Sequence, residues 1–431
     1  IPSGRPRREG GVHPVNLRNY ALVTAGYWAF TLTDGALRML VLLHFNELGY
    51  SPVAIAFLFL LYEFMGIVTN LIGGWVGSRT GLSRTLMVGL GLQVVALVAL
   101  TFQRESWAEL GSVAFVMGAQ ALSGIAKDLT KMSSKSAVKF VAGDGGGALF
   151  RMVALLTGSK NALKGIGFFL GAALLGWVGY DAALWLMAGV LAVTLAVIST
   201  MLTGDIGKSK VKAPLRSILS KSEAINRLSA ARFFLFASRD IWFVVALPIY
   251  LHDVLGWSFY GVGGFLASWV IGYGAVQSVA PRFLGQRDDI AAARQWSFAL
   301  GIVATAIAIA VSADFSQTAT TAAIIGGLVI FGFVFALNSS LHSYLILAYS
   351  DDDQVSTDVG FYYSANAAGR LVGTLLSGLL YLWGGLALAL WGTALFVGIT
   401  WLLTLRLPAT ETSSPDQRHD GTPHTHDIHP G

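Results

Sequence analysis

Long apolar runs restrict this chain more than any other feature. Stretches of about 20 residues with few charges, enough to cross about 30 Å of hydrocarbon as a helix, recur along nearly its whole length with short polar breaks. A barrel strand would instead alternate apolar and polar residues over about ten positions, so the runs read as helices. Only 12% of the 431 residues are charged and 54% are hydrophobic, whereas about a quarter of a soluble domain is charged. The pattern predicts an all-α integral membrane protein with spans near 18–44, 53–78, 85–102, 109–131, 149–179, 182–203, 229–251, 258–281, 294–312, 319–348, 358–383 and 386–407.

These twelve spans divide six and six about a long basic connection. The expected organisation is an N-terminal arm (1–16), a six-helix bundle (17–203), a linker (204–228), a second six-helix bundle (229–407) and a disordered tail (408–431). The cations set an orientation. Arg5, Arg7, Arg8 and Arg18 precede the first span, Arg79 and Arg84 follow the second, and Lys208, Lys210, Lys212, Arg216, Lys221 and Arg227 fill the connection; Arg282 and Arg287 follow the eighth. All fall on one side, so the positive-inside rule makes both termini and the linker cytoplasmic. The net charge of +5 then belongs to juxtamembrane loops facing anionic headgroups, and no nucleic-acid partner is needed to explain it. The arm before the first span lacks the pattern of a cleaved signal peptide. With no cysteine, disulfides, thiolate metal sites and thiol catalysis are excluded.

The two sets of six spans resemble each other weakly. Asn46-Glu47-Leu48-Gly49-Tyr50-Ser51 after the first span reads like Asp253-Val254-Leu255-Gly256-Trp257-Ser258 after the seventh, and Asp34 and Asp240 then fall at nearly the same depth. In the fifth and eleventh spans, Ser159-Lys160-Asn161-Ala162-Leu163-Lys164-Gly165 matches Ser364-Ala365-Asn366-Ala367-Ala368-Gly369-Arg370, followed by Gly167 and Gly171 in one and Gly373 and Ser377 in the other. Parallel six-span repeats place a substrate site near the midplane between the halves. The chain has 50 glycines, and spacings such as Gly73/Gly77 and Gly167/Gly171 read first as close helix packing.

Charge inside a span costs about 2.5 kcal/mol or more, so each instance marks a polar pathway or a paired network. The residues concerned are Asp34, Arg38, Glu63, Lys127, Asp128, Lys131, Lys160, Lys164, Arg239, Asp240 and Arg370, with more cations than acids. Asp34 and Arg38, four apart, are placed to pair on one helical face. Lys164 and Arg370 lie deepest, about 20 Å from the outer ends of their helices at 1.5 Å per residue. Their bland role is an ion-pair network with Asp128 or Glu63. Their functional role is a clamp on an anion, Lys164 as a point charge and Arg370 as a planar fork. Asn161 and Asn366 add neutral donors nearby. The expected substrate-binding set is Lys127, Lys160, Asn161, Lys164, Asn366, Arg370, Arg38 and Arg239, with Asp34, Glu63, Asp128 and Asp240 serving proton coupling or ion pairing.

Gly74-Trp75-Val76-Gly77-Ser78-Arg79-Thr80-Gly81-Leu82-Ser83-Arg84 resembles the loop signature of the major facilitator superfamily, with Ser78 in place of its usual acid. Gly74, Arg79, Gly81 and Arg84 are therefore expected to form a gating loop, or simply a basic turn that sets topology. No Walker A sequence is present, which excludes ATP-driven transport within this chain. His419, His424, His426 and His429 in the tail, and Asp351-Asp352-Asp353 after the tenth span, read as solvated segments. No metal site, cofactor or catalytic constellation is expected.

A more specific likeness lies in four strings. Tyr27-Trp28-Ala29-Phe30-Thr31-Leu32-Thr33-Asp34-Gly35-Ala36-Leu37-Arg38-Met39-Leu40, Gln120 to Leu129 with Lys131-Met132-Ser133, Thr157 to Gly165, and Phe361-Tyr362-Tyr363 with Asn366 and Arg370 resemble the organoarsenical efflux transporters called ArsJ, over about residues 17–407. The resemblance implies the twelve-helix major facilitator fold in two pseudo-symmetric halves. It also implies export of 1-arseno-3-phosphoglycerate, supplied by a companion glyceraldehyde-3-phosphate dehydrogenase, from the cytoplasm across a bacterial inner membrane, which removes arsenate. The absence of cysteine speaks against trivalent arsenic held by thiolates but raises no difficulty for a pentavalent oxyanion ester. Export of another organic anion or a drug, and a non-transporting receptor or scaffold, stand as the alternatives.

Overall fold

The computed structural model describes residues 14–80, 82–104, 106–142, 146–202, 222–284, 289–313, 315–350 and 355–408. They form α1 (Pro14–Glu47), α2 (Pro52–Thr80), α3 (Leu82–Leu100), α4 (Glu109–Ala142), α5 (Gly146–Val178), α6 (Tyr180–Met201), α7 (Glu223–Phe243), the short α8 (Ala246–Ile249) with a π-helical turn Tyr250–Val254, α9 (Phe259–Leu284), α10 (Asp289–Ser312), α11 (Gln317–Tyr349) and α12 (Val355–Leu405). Among the described residues ten helical runs are long and apolar enough to cross a bilayer. One of them, Asp358–Leu405, has length for two crossings, and α1 adds another despite Arg18, Asp34 and Arg38. Large apolar side chains point outward, among them Leu110, Trp177, Val193, Leu395 and Trp383, as lipid-facing surfaces require and soluble surfaces avoid.

Helix ends follow local chemistry. α7 starts at Glu223, six residues before the expected 229, because the Ser222 hydroxyl accepts from the Ile225 amide at 3.3 Å and Glu223 sits in the positive first turn. α12 runs through both of the last expected spans and breaks at Gly384 and Gly385, where Gly385 takes φ 62°, a conformation glycine adopts without strain. α4 continues past the expected 131 to Ala142.

The weak repeat is visible in the packing. α5 lies against α1, and a Cβ built on Gly167 or Gly171 would stand 2.4 Å from the Leu32 carbonyl oxygen or 2.1 Å from that of Ala36. α12 lies against α7 in the same way, with Gly369 and Gly373 at 2.1 Å and 2.6 Å from the carbonyls of Phe233 and Ala237. Backbones meet because these positions carry no side chain. Asp34 and Asp240 are 206 residues apart, as are Lys164 and Arg370, but Asn46 and Asp253 are 207 apart. The one-residue difference falls where the π-turn Tyr250–Val254 inserts it. Beyond that turn Gly49 and Gly256 both adopt positive φ, 79° and 66°. The side-chain amide of Asn46 donates to Asp253 Oδ1 at 2.9 Å, so the two repeat-related positions meet each other at this end of the bundle.

Two further contacts join the first six long helices to the rest: α2 against α12, and α5 against α9. Gly378 abuts Pro52 and Ala56, while Gly274 abuts Asn161. α1, α2, α4, α5, α7, α9, α11 and α12 thereby surround a central space.

Candidate functional site: a cationic central cavity

Tight α1–α5 and α7–α12 packing brings polar positions from both sequence halves to one cavity of about 280 Å³. Its wall includes Arg38, Lys127, Lys131, Lys160, Lys164, Arg232, Arg239 and Arg370, eight cations, against three carboxylates, Asp34, Asp128 and Asp240. Glu63 stands behind the wall, fully buried. All eight residues expected to bind substrate, Lys127, Lys160, Asn161, Lys164, Asn366, Arg370, Arg38 and Arg239, line this one space.

Their partners differ from what sequence spacing suggested. Asp34 and Arg38 do not pair. The Arg38 guanidinium reaches Glu63 Oε1 at 2.7 Å, and Asp34 accepts a hydrogen bond from the Tyr62 hydroxyl at 2.6 Å. The i,i+4 relation puts both on one face of α1, but α2 offers each a better partner.

Arg370 is held on two sides. Its Nη2 is 2.6 Å from Glu63 Oε1 on α2 and its Nε is 3.2 Å from Asp240 Oδ2 on α7. Asp240 also accepts from Arg239 Nε at 2.7 Å. Three guanidiniums thus share two carboxylates, a network that compensates much of the cost of desolvating them. Glu63 Oε1 serves two arginines, while its Oε2 is buried without a partner.

The lysines are arranged otherwise. Lys131 pairs with Asp128 at 3.1 Å and donates to Asn70 at 3.1 Å, so it is engaged inside rather than snorkelling. Asp128 also accepts from the Thr69 hydroxyl at 2.6 Å. Lys127 Nζ lies 4.1 Å from the centre of the Tyr62 ring, and Lys164 Nζ lies 5.8 Å from that of Phe168. Among the described residues neither of these two lysines has a carboxylate within ion-pair distance. A cation over a ring face keeps part of its electrostatic attraction and remains able to accept an anion.

Asn161 and Asn366 brace the walls. The Asn161 amide donates to Gln277 at 3.1 Å, and Asn366 Oδ1 accepts from Arg232 Nε at 3.0 Å. Arg232 also donates to the Ser339 carbonyl and hydroxyl at 3.1 Å each, and Tyr273 and Gln277 converge on the same hydroxyl at 3.1 and 3.2 Å. Sequence reasoning missed Arg232, Tyr273, Gln277 and Ser339. The signal for Arg232 was present: it lies seven residues before Arg239, two turns along one face of α7.

Helix direction sorts the cations into two tiers. Lys131, Lys160 and Arg232 each stand one or two turns nearer the chain termini than Lys127, Lys164 and Arg239 on the same helices, about 6 to 10 Å along the axis. Of the expected gating loop, Gly74 and Arg79 fall in the final turns of α2 and Arg84 is exposed at the start of α3. Gly81 and the side chain of Arg79 lie outside the described residues, as do the basic linker, Asp351-Asp352-Asp353 and the tail histidines.

A bundle of long apolar helices around a charged central cavity defines a membrane transporter. The chain is a member of the Major Facilitator Superfamily, whose family model matches residues 23–340. Its fold is that of this superfamily, and it is a membrane transporter. A bacterial homologue of the iron transporter ferroportin in an inward-facing state superposes with a TM-score of 0.68 at 16% identity, over 91% of this chain and 98% of that one. A POT family transporter in complex with a thioalcohol-conjugated peptide gives 0.69 at 13% identity over 89% and 94%. The human organic anion transporter MFSD10 (TETRAN) gives 0.65 at 15% identity over 91% and 100%. At these identities the likeness is one of fold. No curated protein matches the sequence.

Proposed function

We propose that this transporter exports a small, multiply charged anion, and that the anion is 1-arseno-3-phosphoglycerate. The observation that carries the anion class is the excess of cations on the cavity wall, eight against three carboxylates. Such an excess is costly in a low-dielectric interior unless a ligand or counter-ion supplies negative charge. The two tiers, about 6 to 10 Å apart, suit a short ligand with an anionic group at each end. The limited cavity volume suits a molecule of few heavy atoms rather than a bulky drug.

Arsenic enters through the resemblance to the ArsJ transporters. That reading supplies a functional partner, a glyceraldehyde-3-phosphate dehydrogenase that makes the ester, and an address, the bacterial cytoplasmic membrane with both termini cytoplasmic. It also treats residues 17–203 and 229–407 as the two moving bundles, joined by the linker 204–228, with 1–16 and 408–431 as cytoplasmic extensions. In this scheme Lys164 and Lys127 meet the anion first, because among the described residues neither is in an ion pair, and Arg370 adds a planar fork. Asp34, Glu63, Asp128 and Asp240 serve as counter-charges or proton sites, and Gly74, Arg79, Gly81 and Arg84 as the gating loop.

Uptake of the arsenylated glycerate into inverted vesicles tests the substrate. Vesicles carrying the chain should accumulate it well above empty vesicles, and equal uptake would sink the assignment. Another organic anion is the competing reading, favoured by the same surplus of cations; it predicts that arsenate tolerance, with the dehydrogenase present, is the same in cells with and without the chain.

A further inference from the structure

Arg370 is the guanidinium of the cavity wall that carboxylates of two other helices hold between them. Its guanidinium is divided between Glu63 on α2 and Asp240 on α7, so it links the first six long helices to the later ones through charge. The link has an unusual geometry at Glu63. Both Arg38 and Arg370 use Oε1, at 2.7 and 2.6 Å, while Oε2 is buried and accepts nothing. A buried carboxylate oxygen without a donor carries an unrelieved desolvation cost. If Arg370 withdrew, Arg38 could turn its fork to both oxygens of Glu63, the bidentate arrangement that carboxylates favour. A second arrangement is thus open to the network, in which Arg38 holds Glu63 through both oxygens and Arg370 is free.

We propose that Glu63 and Asp240 act as built-in stand-ins for the transported anion, holding Arg370 across the two sets of helices in the empty cavity and yielding it to an anion when one binds. The exchange is isoelectric at Arg370, carboxylate for substrate oxyanion, so it costs little. Its consequence is mechanical. Once Arg370 has turned to the ligand, the ion pair between α2 and α12 is gone, and the two sets of helices are released to rock. An empty cavity keeps the pair and rocks more slowly than a loaded one, which limits leak but still allows the empty return that export requires. Lys164 and Lys127, which among the described residues have no ion pair to leave, attract the anion before Arg370 is exchanged. Only the identity of the displacing ligand rests on the function proposed above; the latch itself does not.

The absence of cysteine makes the motion measurable. Asn46 and Asp253 touch across the two sets of helices at the far end of the bundle. In a Val244→Cys variant, a buried position on the cavity wall one turn beyond Asp240 toward the Asn46–Asp253 end, modification by a membrane-impermeant maleimide reports how often that end opens. Adding Glu63→Gln should raise the labelling rate about tenfold without any substrate, from the loss of one charge-assisted contact. Unchanged or slower labelling would overturn the latch whatever the substrate is. The second measurement uses 3-phosphoglycerate as a stable probe anion. Glu63→Gln should bind it about tenfold more tightly than the parent while turnover in vesicles falls; weaker binding, or binding and turnover moving together, would also overturn it. Asp240→Asn should act in the same direction and provides the test if Glu63→Gln fails to accumulate. Failed uptake of the arsenical by the parent protein, with labelling still sensitive to Glu63, would instead reject the substrate and keep the latch.

Discussion

Lys164 on α5 and Arg370 on α12 occupy matching positions 206 residues apart, each followed by small residues that let its helix touch α1 or α7, yet their surroundings are opposite. Arg370 is fastened by two carboxylates, Glu63 and Asp240. Lys164 has no ion pair among the described residues, although its own carbonyl packs against Gly35, next to Asp34, the counterpart of Asp240. The repeat preserved the positions and the backbone contact but not the charge chemistry. One half holds its cation in an ion-pair network, and the other leaves its cation without an ion pair among the described residues. The choice of residue fits: an arginine fork can serve two carboxylates at once, while a lysine is a compact charge on a flexible stem.

Several substitutions would break or sharpen this contrast. The largest effect is expected at the shared backbone contact. Gly171→Leu would drive a side chain into the Ala36 carbonyl, already 2.1 Å from a Cβ, and should prevent stable α1–α5 packing, seen as loss of monodisperse protein in detergent. Arg370→Ala should come next, because it leaves Glu63 and Asp240 with one fewer cation each. A loss of about 1.5 to 3 kcal/mol in stability, read as a lower melting temperature, should accompany loss of transport, since Arg38 and Arg239 still pair with the two carboxylates.

Lys164→Ala should separate the two roles. With no ion pair to break, its melting temperature should stay within a few degrees of the parent, while the apparent affinity for the transported anion should fall by about 2 kcal/mol or more. A melting temperature lowered as far as in Arg370→Ala would erase the contrast drawn here. Reciprocal exchange is a finer test. Arg370→Lys cannot span both carboxylates and should lose more activity in vesicle transport than Lys164→Arg, which keeps its charge and its ring contact. The smallest effect belongs to Asn46→Asp. It would face Asp253 across the bundle end and should weaken that contact by about 1 kcal/mol, raising the maleimide labelling of a Val244→Cys reporter with little change in stability.

The helical class, the number of spans and the repeat were legible in the chain because lipid imposes one rule on every segment: about 20 apolar residues, with all backbone polar groups satisfied within the helix. The residues lining the cavity were legible for a related reason. Charge at mid-bilayer is expensive, so Lys127, Lys160, Lys164, Arg38, Arg239 and Arg370 could be picked out as interior before any contact was known. Arg232 falls inside the expected span 229–251 but close to its start, where a long side chain could still reach the membrane surface, so its depth did not mark it. The start of α7 was misplaced because Arg227 and Ser222 look like loop when only hydropathy is weighed.

Partnership was another matter. Sequence spacing allowed Asp34 to neutralise Arg38, and only the approach of α2 gave Arg38 to Glu63 and Asp34 to Tyr62. Likewise nothing local distinguishes Lys164 from Arg370; the difference arises because α12 packs between α7 and α2, each carrying a carboxylate at the right height. Local rules act on one helix at a time, so hydropathy and charge determined by themselves what must be buried and at what depth. Which buried charge meets which depends on distances between helices far apart in sequence, and that was decided by the tertiary packing alone.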